Sequence, residues 1–281
     1  AQEGQWTRFR GSNDGVVADD PRLPEVWSET ENVVWMTDIP GLGWSSPVVW
    51  DDHIFVTTAI SSGEERTPRP GLYDPGADYG ATRSSASHRW LVYDLDFSTG
   101  AVRWVRELGL AVPGIERHIK NSFASETPVT DGERLYVYFG TIGLVAALEL
   151  DGEVVWTREL GVYNGRQRFG TAASPALHDD RLYVVNDNTT QSFLVAFEAS
   201  SGEEVWRVER DEVENWSSPF IWENELRTEI VTAGRRQIRS YDLNGGLLWE
   251  LSGMTVNVVP TPFAQDGLVY ISSGYPGGMP R

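Results

Sequence analysis

Polar and aromatic side chains collect just before several prolines of this 281-residue sequence, and they include the groups best suited to chemistry. His118, Lys120 and Glu126 form an acid–base set, which works only where the three converge in space. The full set consists of Trp44, His118, Lys120, Asn121, Glu126, Arg168, Asn215, Trp216 and Asn257. Polar groups that converge at a concave mouth favour a binding site, although the same groups can instead satisfy buried backbone groups.

A repeated unit must position these side chains, and residues 217–249 carry one complete copy of it. Each copy opens with Ser-Pro or Thr-Pro and continues through an acidic turn at a constant offset. The opening prolines are Pro47, Pro128, Pro175, Pro219 and Pro262. A glycine precedes a tryptophan by four residues at Gly100 and Trp104, Gly152 and Trp156, Gly202 and Trp206, and Gly245 and Trp249. These tryptophans are 52, 50 and 43 residues apart, a period typical of propeller blades.

The unit predicts an all-β protein, because it contains four short strands joined by tight turns and no segment of helical period. One such sheet cannot bury both of its faces alone, so the copies must stack as blades of a β-propeller. We predict one domain with whole blades at residues 47–104, 128–156, 175–206 and 219–249, a partial blade at 262–281 and an inserted loop at 61–88. Residues 1–46 are predicted to be an N-terminal segment that contains a closing strand.

The repeated tryptophans predict packing contacts between blades, because large buried aromatic residues belong to the core more often than to a cofactor platform. This prediction covers Trp104, Trp156, Trp206 and Trp249. The run Val33-Val34-Trp35 predicts an outer strand, and Trp35 is the candidate for completing another blade. Two rings satisfy the pattern: the N-terminal strand closes a ring of five blades, or the chain is part of a larger ring.

The composition excludes several classes of partner and site. A net charge of -18 and a pI near 4.6 repel phosphate backbones and anionic lipids, so nucleic acids and membrane surfaces are not expected as partners. The absence of cysteine excludes disulfides and zinc–thiolate sites, and no apolar run reaches the roughly 20 residues of a membrane span. With four histidines in all, we expect no metal centre built from histidine.

Two repeats carry a resemblance to a known family. Tyr93-Asp94-Leu95 with Ser98-Thr99-Gly100 and Trp104 is one match, and Ala196-Phe197-Glu198 with Ser201-Gly202 and Trp206 is the other. The sequence resembles the PQQ-like (quinoprotein-type) β-propeller repeat family, including its secreted bacterial members and, more distantly, an outer-membrane protein assembly lipoprotein. The resemblance implies a ring of seven or eight blades, so we prefer the larger ring.

The resemblance leaves three functional classes open. The preferred one is a monomeric, non-catalytic scaffold that is periplasmic or secreted, without a cofactor, and that binds a protein or small molecule at the channel mouth. The first alternative is a PQQ- and calcium-dependent oxidoreductase in which Glu126, Asn215 and Asn257 contact the metal or the quinone, although the family's adjacent cysteine pair is absent. The second alternative is a carbohydrate-binding or hydrolytic propeller, for which only Glu126 is well placed.

Overall fold

The computed structural model describes residues 5–11, 16, 20–66 and 80–273, and this part of the chain contains twenty β-strands and no α-helix. The strands of the first blade are β1 (Val48–Trp50), β2 (His53–Ser61), β4 (His88–Asp96) and β5 (Val102–Ala111), with the short β3 (Ala81–Thr82) and β6 (Arg117–His118) outside it. The second blade contains β7 (Val129–Thr130), β8 (Arg134–Phe139), β9 (Leu144–Glu149) and β10 (Val154–Glu159), and the third contains β11 (Ala176–His178), β12 (Arg181–Asn186), β13 (Ser192–Glu198) and β14 (Glu204–Arg210). The fourth contains β15 (Phe220–Glu223), β16 (Thr228–Ala233), β17 (Ile238–Tyr241) and β18 (Leu247–Leu251), and a fifth unit contributes β19 (Phe263–Gln265) and β20 (Leu268–Tyr270).

Each blade is an antiparallel meander in which the strands lie in chain order. Short turns join neighbouring strands except β2 and β4, between which residues 62–87 intervene. The predicted all-β class and the four-stranded antiparallel sheets are confirmed. The outer strands continue past the tryptophans at which the predicted units ended, because β5 runs to Ala111 and β14 runs to Arg210. The number of blades in the complete ring stays a prediction.

The core lies between the blades, and the third blade shows how the strand pleat produces it. Leu182 and Val184 of β12 belong to a buried cluster shared with the second blade. Tyr183 and Val185, which alternate with them, belong to a cluster shared with the fourth blade. Because successive side chains of a strand point to opposite faces, one strand stabilises both neighbouring contacts. A blade therefore cannot keep its core without the blades beside it.

Tryptophans join most of the blades through one repeated contact. Each indole packs on the turn glycine of the following blade, and its Nε1–H donates to a nearby carbonyl of the same turn. Trp104 pairs in this way with Gly152 and the Leu150 carbonyl, Trp156 with Gly202 and Ala199, Trp206 with Gly245 and Leu243, and Trp35 with Gly100 and Phe97. Trp249 differs, because its indole donates to Glu229 of its own blade over 2.7 Å.

The segment of residues 5–11, here called the strap, runs along the inner strands. Trp6 exchanges two backbone hydrogen bonds with Val49 of β1, at 3.0 and 2.8 Å. The Thr7 carbonyl accepts the amide hydrogen of Thr130 in β7. Farther along, residues 8–11 line one cleft with residues 175–176 and 218–221 of the third and fourth blades. The Arg10 guanidinium lies 5.9 Å from the ring centroid of Phe263 in β19, so the strap extends from the first unit to the fifth.

Two predictions for the ends of the first unit need correction. The run Val33-Val34-Trp35 is not a strand, and no strand of the described residues pairs with it, although Trp35 is docked on Gly100. The predicted loop at 61–88 is partly ordered by pairing of β3 with β6, and its residues 67–79 lie outside the described part, as do residues 274–281 of the fifth unit. None of the described segments is a helix long and apolar enough to span a membrane.

Candidate binding surface at the channel mouth

A girdle of hydroxyl groups surrounds the start of the inner strands. The residue before each opening proline donates its amide hydrogen to the hydroxyl of the corresponding residue in the next unit. The bonds run from Ser46 to Thr127, Thr127 to Ser174, Ser174 to Ser218 and Ser218 to Thr261, at 2.9, 2.9, 2.9 and 3.3 Å. Because proline has no amide hydrogen, the preceding residue must supply both the donor and the acceptor. The repeated Ser/Thr-Pro pair is therefore the linkage between units.

Above the girdle, the segments that connect successive blades form a second layer, here called the mouth layer. It is defined by Trp44, His118, Asn121, Phe169 and Trp216. The Trp44 indole donates to the Lys120 carbonyl over 2.6 Å, and the Lys120 amide donates to Nδ1 of His118 over 3.1 Å. The Asn121 side chain donates to the carbonyls of Phe169 and Thr171. These bonds tie three successive connections together.

Trp216 extends the mouth layer to the remaining connections. Its indole donates to the Gly170 carbonyl over 2.8 Å, and its amide donates to the Val258 carbonyl over 2.9 Å. The ring of Phe169 is stacked on Trp216 with centroids 6.1 Å apart, and it meets His118 edge-on at 4.8 Å. The mouth therefore has a continuous aromatic strip whose position is set by hydrogen bonds to the backbone.

Most polar atoms of the mouth layer are occupied in holding the connections. Both indole hydrogens and the Asn121 amide donate to carbonyls, and the Asn121 oxygen accepts from Ser122 and Ser125. The ring faces remain for contact, and the Trp44 side chain is 43% exposed. The arrangement is suited to binding an apolar or aromatic group on a fixed surface.

Glu126 lies beneath the mouth layer and is only 1% exposed. One carboxyl oxygen accepts the amide hydrogen of Gly140 over 3.2 Å, and the other has no partner among the described residues. Burial raises the pKa of Glu126 to about 7, because an ionised carboxylate is poorly solvated there. Glu126 and His118 do not hydrogen-bond each other, so the predicted acid–base set does not converge in direct contact.

Of the remaining predicted residues, Asn215 lines a cavity together with Phe169 and Trp216 of the mouth layer. Asn215 donates to Asp187 over 3.1 Å, beside the buried ion pair of Asp187 with Arg210. Arg168 pairs with Glu116 over 3.2 Å at the outer rim. Asn257 has a positive φ of 59°, and no hydrogen bond joins its side chain to another described residue.

The residues proposed for calcium and PQQ do not fit such a site. Asn215 lines a cavity beside Trp216, but neither Glu126 nor Asn257 lines that cavity, so the three side chains share no space for an ion. Calcium requires its oxygen ligands within about 2.6 Å of one point. The cavity measures about 20 Å³, which is room for one water molecule and far less than a tricyclic quinone needs. Within the described chain, no group of three or more His, Asp or Glu side chains is placed to hold a metal.

Sequence reasoning missed several residues of this surface. The hydroxyl girdle could have been predicted from the sequence, because Ser or Thr precedes every opening proline. Phe169 could not have been predicted, because a single aromatic residue in a connection does not recur at the same position in other units. The buried Asp187–Arg210 pair could not have been predicted either, because the partners are 23 residues apart and on different elements. Burial lowers the pKa of Arg210, but Asp187, together with Tyr241 and Glu212, leaves that pKa raised.

The stacked sheets and the linked mouth define this protein as a β-propeller built of PQQ-like repeats. A family described as outer membrane protein assembly factor BamB matches residues 8–160 and 141–277. The chain belongs to this family, which confirms the resemblance seen in its repeats. No curated protein sequence matches the chain.

Solved structures of similar fold include BamB and quinohemoprotein alcohol dehydrogenases. BamB from Moraxella catarrhalis has 15% identity and a TM-score of 0.46 over 87% of this chain and 73% of its own. Quinohemoprotein alcohol dehydrogenase from Comamonas testosteroni has 14% identity and a TM-score of 0.49 over 83% of this chain and 39% of its own. The corresponding enzyme ADHIIG from Pseudomonas putida HK5 has 12% identity and a TM-score of 0.47, over 77% and 35%. The chain thus spans little more than a third of the length of these dehydrogenases.

Proposed function

We propose that this protein is an exported, non-catalytic β-propeller that binds a segment of a partner protein on its mouth layer. The observation that carries the proposal is the linkage of five successive units by the girdle and the mouth layer. A surface held in this way needs little ordering when a partner binds, and a smaller ordering cost leaves more of the contact energy for affinity. Membership of the BamB family supports a binding role and an exported location.

The chemistry of the mouth favours binding over catalysis. Its indole and amide hydrogens already donate to carbonyls, and the carboxyl group of Glu126 beneath it is buried. The exposed face of Trp44 and the stacked rings of Phe169 and Trp216 suit apolar side chains of a partner. We propose that the protein acts as a monomer and belongs to a ring of seven or eight blades.

Selection from a peptide library on the immobilised protein, followed by surface plasmon resonance with the selected peptides, tests the proposal. Trp44→Ala is expected to weaken binding by about tenfold or more, because truncation of a central tryptophan commonly costs about 2 kcal/mol of binding energy. Trp27→Ala is the matched control, since Trp27 is 68% exposed and lies outside the mouth layer. It is expected to leave the affinity unchanged.

A parallel calorimetric titration with PQQ, with and without calcium, distinguishes the oxidoreductase alternative. Calcium-dependent heat together with a rise in melting temperature would contradict the scaffold proposal and favour the enzyme. Equal loss of peptide binding in Trp44→Ala and Trp27→Ala would also contradict the scaffold proposal, because the mouth layer would then not be the peptide-binding surface. Thermal unfolding of both variants establishes that they are folded.

A further inference from the structure

Two cavities lie beside the long connection of the first blade, and none of the five residues that define the mouth layer lines them. The first, of about 280 Å³, is lined by the two arms of the long connection, residues 63–66 and 82–86, and by Arg117 and Phe123. The second, of about 220 Å³, is lined by Arg83, Gly114, Glu116, Asn164 and Arg168. Arg83 lines both cavities, which together are called the joined site here.

Arg117 forms the inner wall of the first cavity and is 1% exposed. Its Nη1 group donates to backbone carbonyls, of which that of Asn121 is nearest at 2.7 Å. Its Nη2 group donates to Glu65 over 3.3 Å and to the Arg66 carbonyl over 2.9 Å. The Nε–H group is buried and has no partner in the part of the chain that the structure describes. A buried donor without an acceptor costs free energy, so this position favours a bound acceptor.

The charge of the joined site is opposite to that of the whole protein. Its described lining contains the guanidinium groups of Arg66, Arg83, Arg117 and Arg168 and the carboxylates of Glu64, Glu65 and Glu116. Glu65 is paired with Arg117, and Glu116 with Arg168, at 3.3 and 3.2 Å. Arg83 has no ion-pair partner among the described residues. Among the described lining residues the guanidinium groups therefore outnumber the carboxylates by four to three, although the whole chain has a net charge of -18.

Burial and geometry both favour an anion here. Burial lowers the pKa of Arg117, with Glu65 acting in the opposite direction, so a second negative group beside Nε would stabilise the charged form. Lys120 is the one lysine of the sequence, so the cationic groups of this site are all guanidinium groups. Guanidinium groups bind carboxylates through parallel hydrogen bonds, and a site with arginines in two joined cavities matches a ligand with more than one carboxylate.

We propose that the joined cavities bind a small organic polycarboxylate, with one carboxylate at the Nε–H of Arg117 and another at Arg83. The site takes a free small molecule and is independent of the protein partner proposed for the mouth layer. If peptides fail to bind at Trp44, the proposal of an anion site in the joined cavities is not affected. Conversely, loss of anion binding leaves the proposed scaffold role standing.

Isothermal titration calorimetry with citrate, and separately with inorganic phosphate, tests this site when the ionic strength is matched with sodium chloride. Saturable citrate binding is expected with a Kd below about 1 mM. Arg83→Ala is expected to weaken it by about tenfold or more, as for loss of a charged hydrogen-bond partner. Arg83→Lys keeps the charge but not the planar fork, and a smaller loss is expected.

Arg22→Ala is the matched control, because it removes the same charge from a side chain that is 88% exposed and far from this site in sequence. Its citrate affinity is expected to stay within about twofold of the unsubstituted protein, since exposed charges act weakly through screened solvent. Absence of saturable binding up to about 10 mM citrate would overturn the proposal. Equal weakening by Arg22→Ala and Arg83→Ala would overturn it as well. Phosphate binding as tight as citrate binding would overturn the polycarboxylate assignment.

Discussion

At the scale of single residues, burial decides what the predicted site residues can do. Glu126 was selected from the sequence as an acid–base or metal-binding group beside His118. In the structure it is buried beneath the mouth layer, and one of its oxygens has no partner in the described chain. A residue type that is reactive in water therefore becomes a group whose protonation state is coupled to folding.

The raised pKa of Glu126 predicts a specific dependence of stability on pH. The folded protein keeps the proton up to about pH 7, whereas the unfolded chain loses it near 4.5, so the folded form binds more protons between these values. The free energy of unfolding is therefore expected to fall as the pH rises through this interval, by about 3 kcal/mol from this one group. Urea unfolding at several pH values measures it.

Glu126→Gln removes the titration and keeps the shape of the side chain. The variant is expected to lose this part of the pH dependence and to be more stable than the original protein above pH 7. Other buried carboxyl groups, including Asp94 and Glu214, also have raised pKa values, so the difference between the two pH profiles is the relevant quantity. Parallel profiles would show that Glu126 titrates normally in the folded state.

The hydroxyl girdle gives a second prediction at this scale. Ser174 is buried, and its hydroxyl accepts the amide hydrogen of Thr127 over 2.9 Å. Ser174→Ala leaves that amide buried without its acceptor and is expected to cost about 1 to 3 kcal/mol of unfolding free energy. Ser201→Ala, in an exposed turn, is the control and is expected to cost less than about 0.5 kcal/mol. Similar losses from both variants in urea unfolding would contradict a linking role for the girdle.

At the scale of elements, the contact of a tryptophan with a turn glycine joins one blade to the next. Gly202 has a φ of 67°, and a Cβ atom there would lie 2.5 Å from the Trp156 indole. Two separate effects therefore require glycine: a left-handed backbone and the close approach of a ring. Trp249 makes no such contact among the described residues, and its indole donates to Glu229 of its own blade.

Comparison of two glycine substitutions separates these effects. Gly267 has a similar φ of 73°, but nothing lies within 4 Å of a Cβ atom built there. Gly267→Ala is expected to cost about 1 kcal/mol of stability from backbone strain alone. Gly202→Ala adds displacement of the indole and is expected to cost about 3 kcal/mol in total. Urea unfolding measures both losses. Equal losses would contradict a contribution of the Trp156–Gly202 contact to stability.

At the scale of the whole molecule, the strap and the interlocked cores make the units depend on one another. The side chains of β12 belong to two different inter-blade clusters, so loss of one blade exposes apolar area on the next. The strap hydrogen-bonds to the first and second units, lines one cleft with the third and fourth, and places Arg10 over Phe263 of the fifth. Cooperative unfolding of the described units follows from this arrangement.

Trp6→Ala tests the strap. Trp6 pairs with Val49 and packs against Gly11, where a Cβ atom would lie 2.7 Å from the indole. The variant is expected to lose about 2 kcal/mol of unfolding free energy, because a half-buried ring leaves a gap among the inner strands. The transition is expected to remain single, because the units unfold together. Trp27→Ala, at an exposed position, is expected to change stability by less than about 0.5 kcal/mol, and an equal effect of both would contradict the role of the strap.

The sequence by itself determined the class of fold, because its signals are local and repeat. The turn glycines, the Ser/Thr-Pro pairs and the alternation within each strand depend on neighbouring residues, and each appears again in the next unit. The family resemblance and the four-stranded sheets followed from them and were confirmed. The segment around Trp35 shows the limit of this reasoning, because a strand-like pattern without a pairing partner does not form a strand.

Only the tertiary structure decided how the candidate site residues are divided. Trp44, His118, Asn121 and Trp216 share the mouth layer, whereas Glu126 lies below it and Arg168 belongs to the arginine-lined rim. These positions depend on connections of unequal length and on contacts between residues about 50 positions apart. Burial, and with it the pKa of Glu126, is a property of everything packed around a group. No local pattern of residues carries that information.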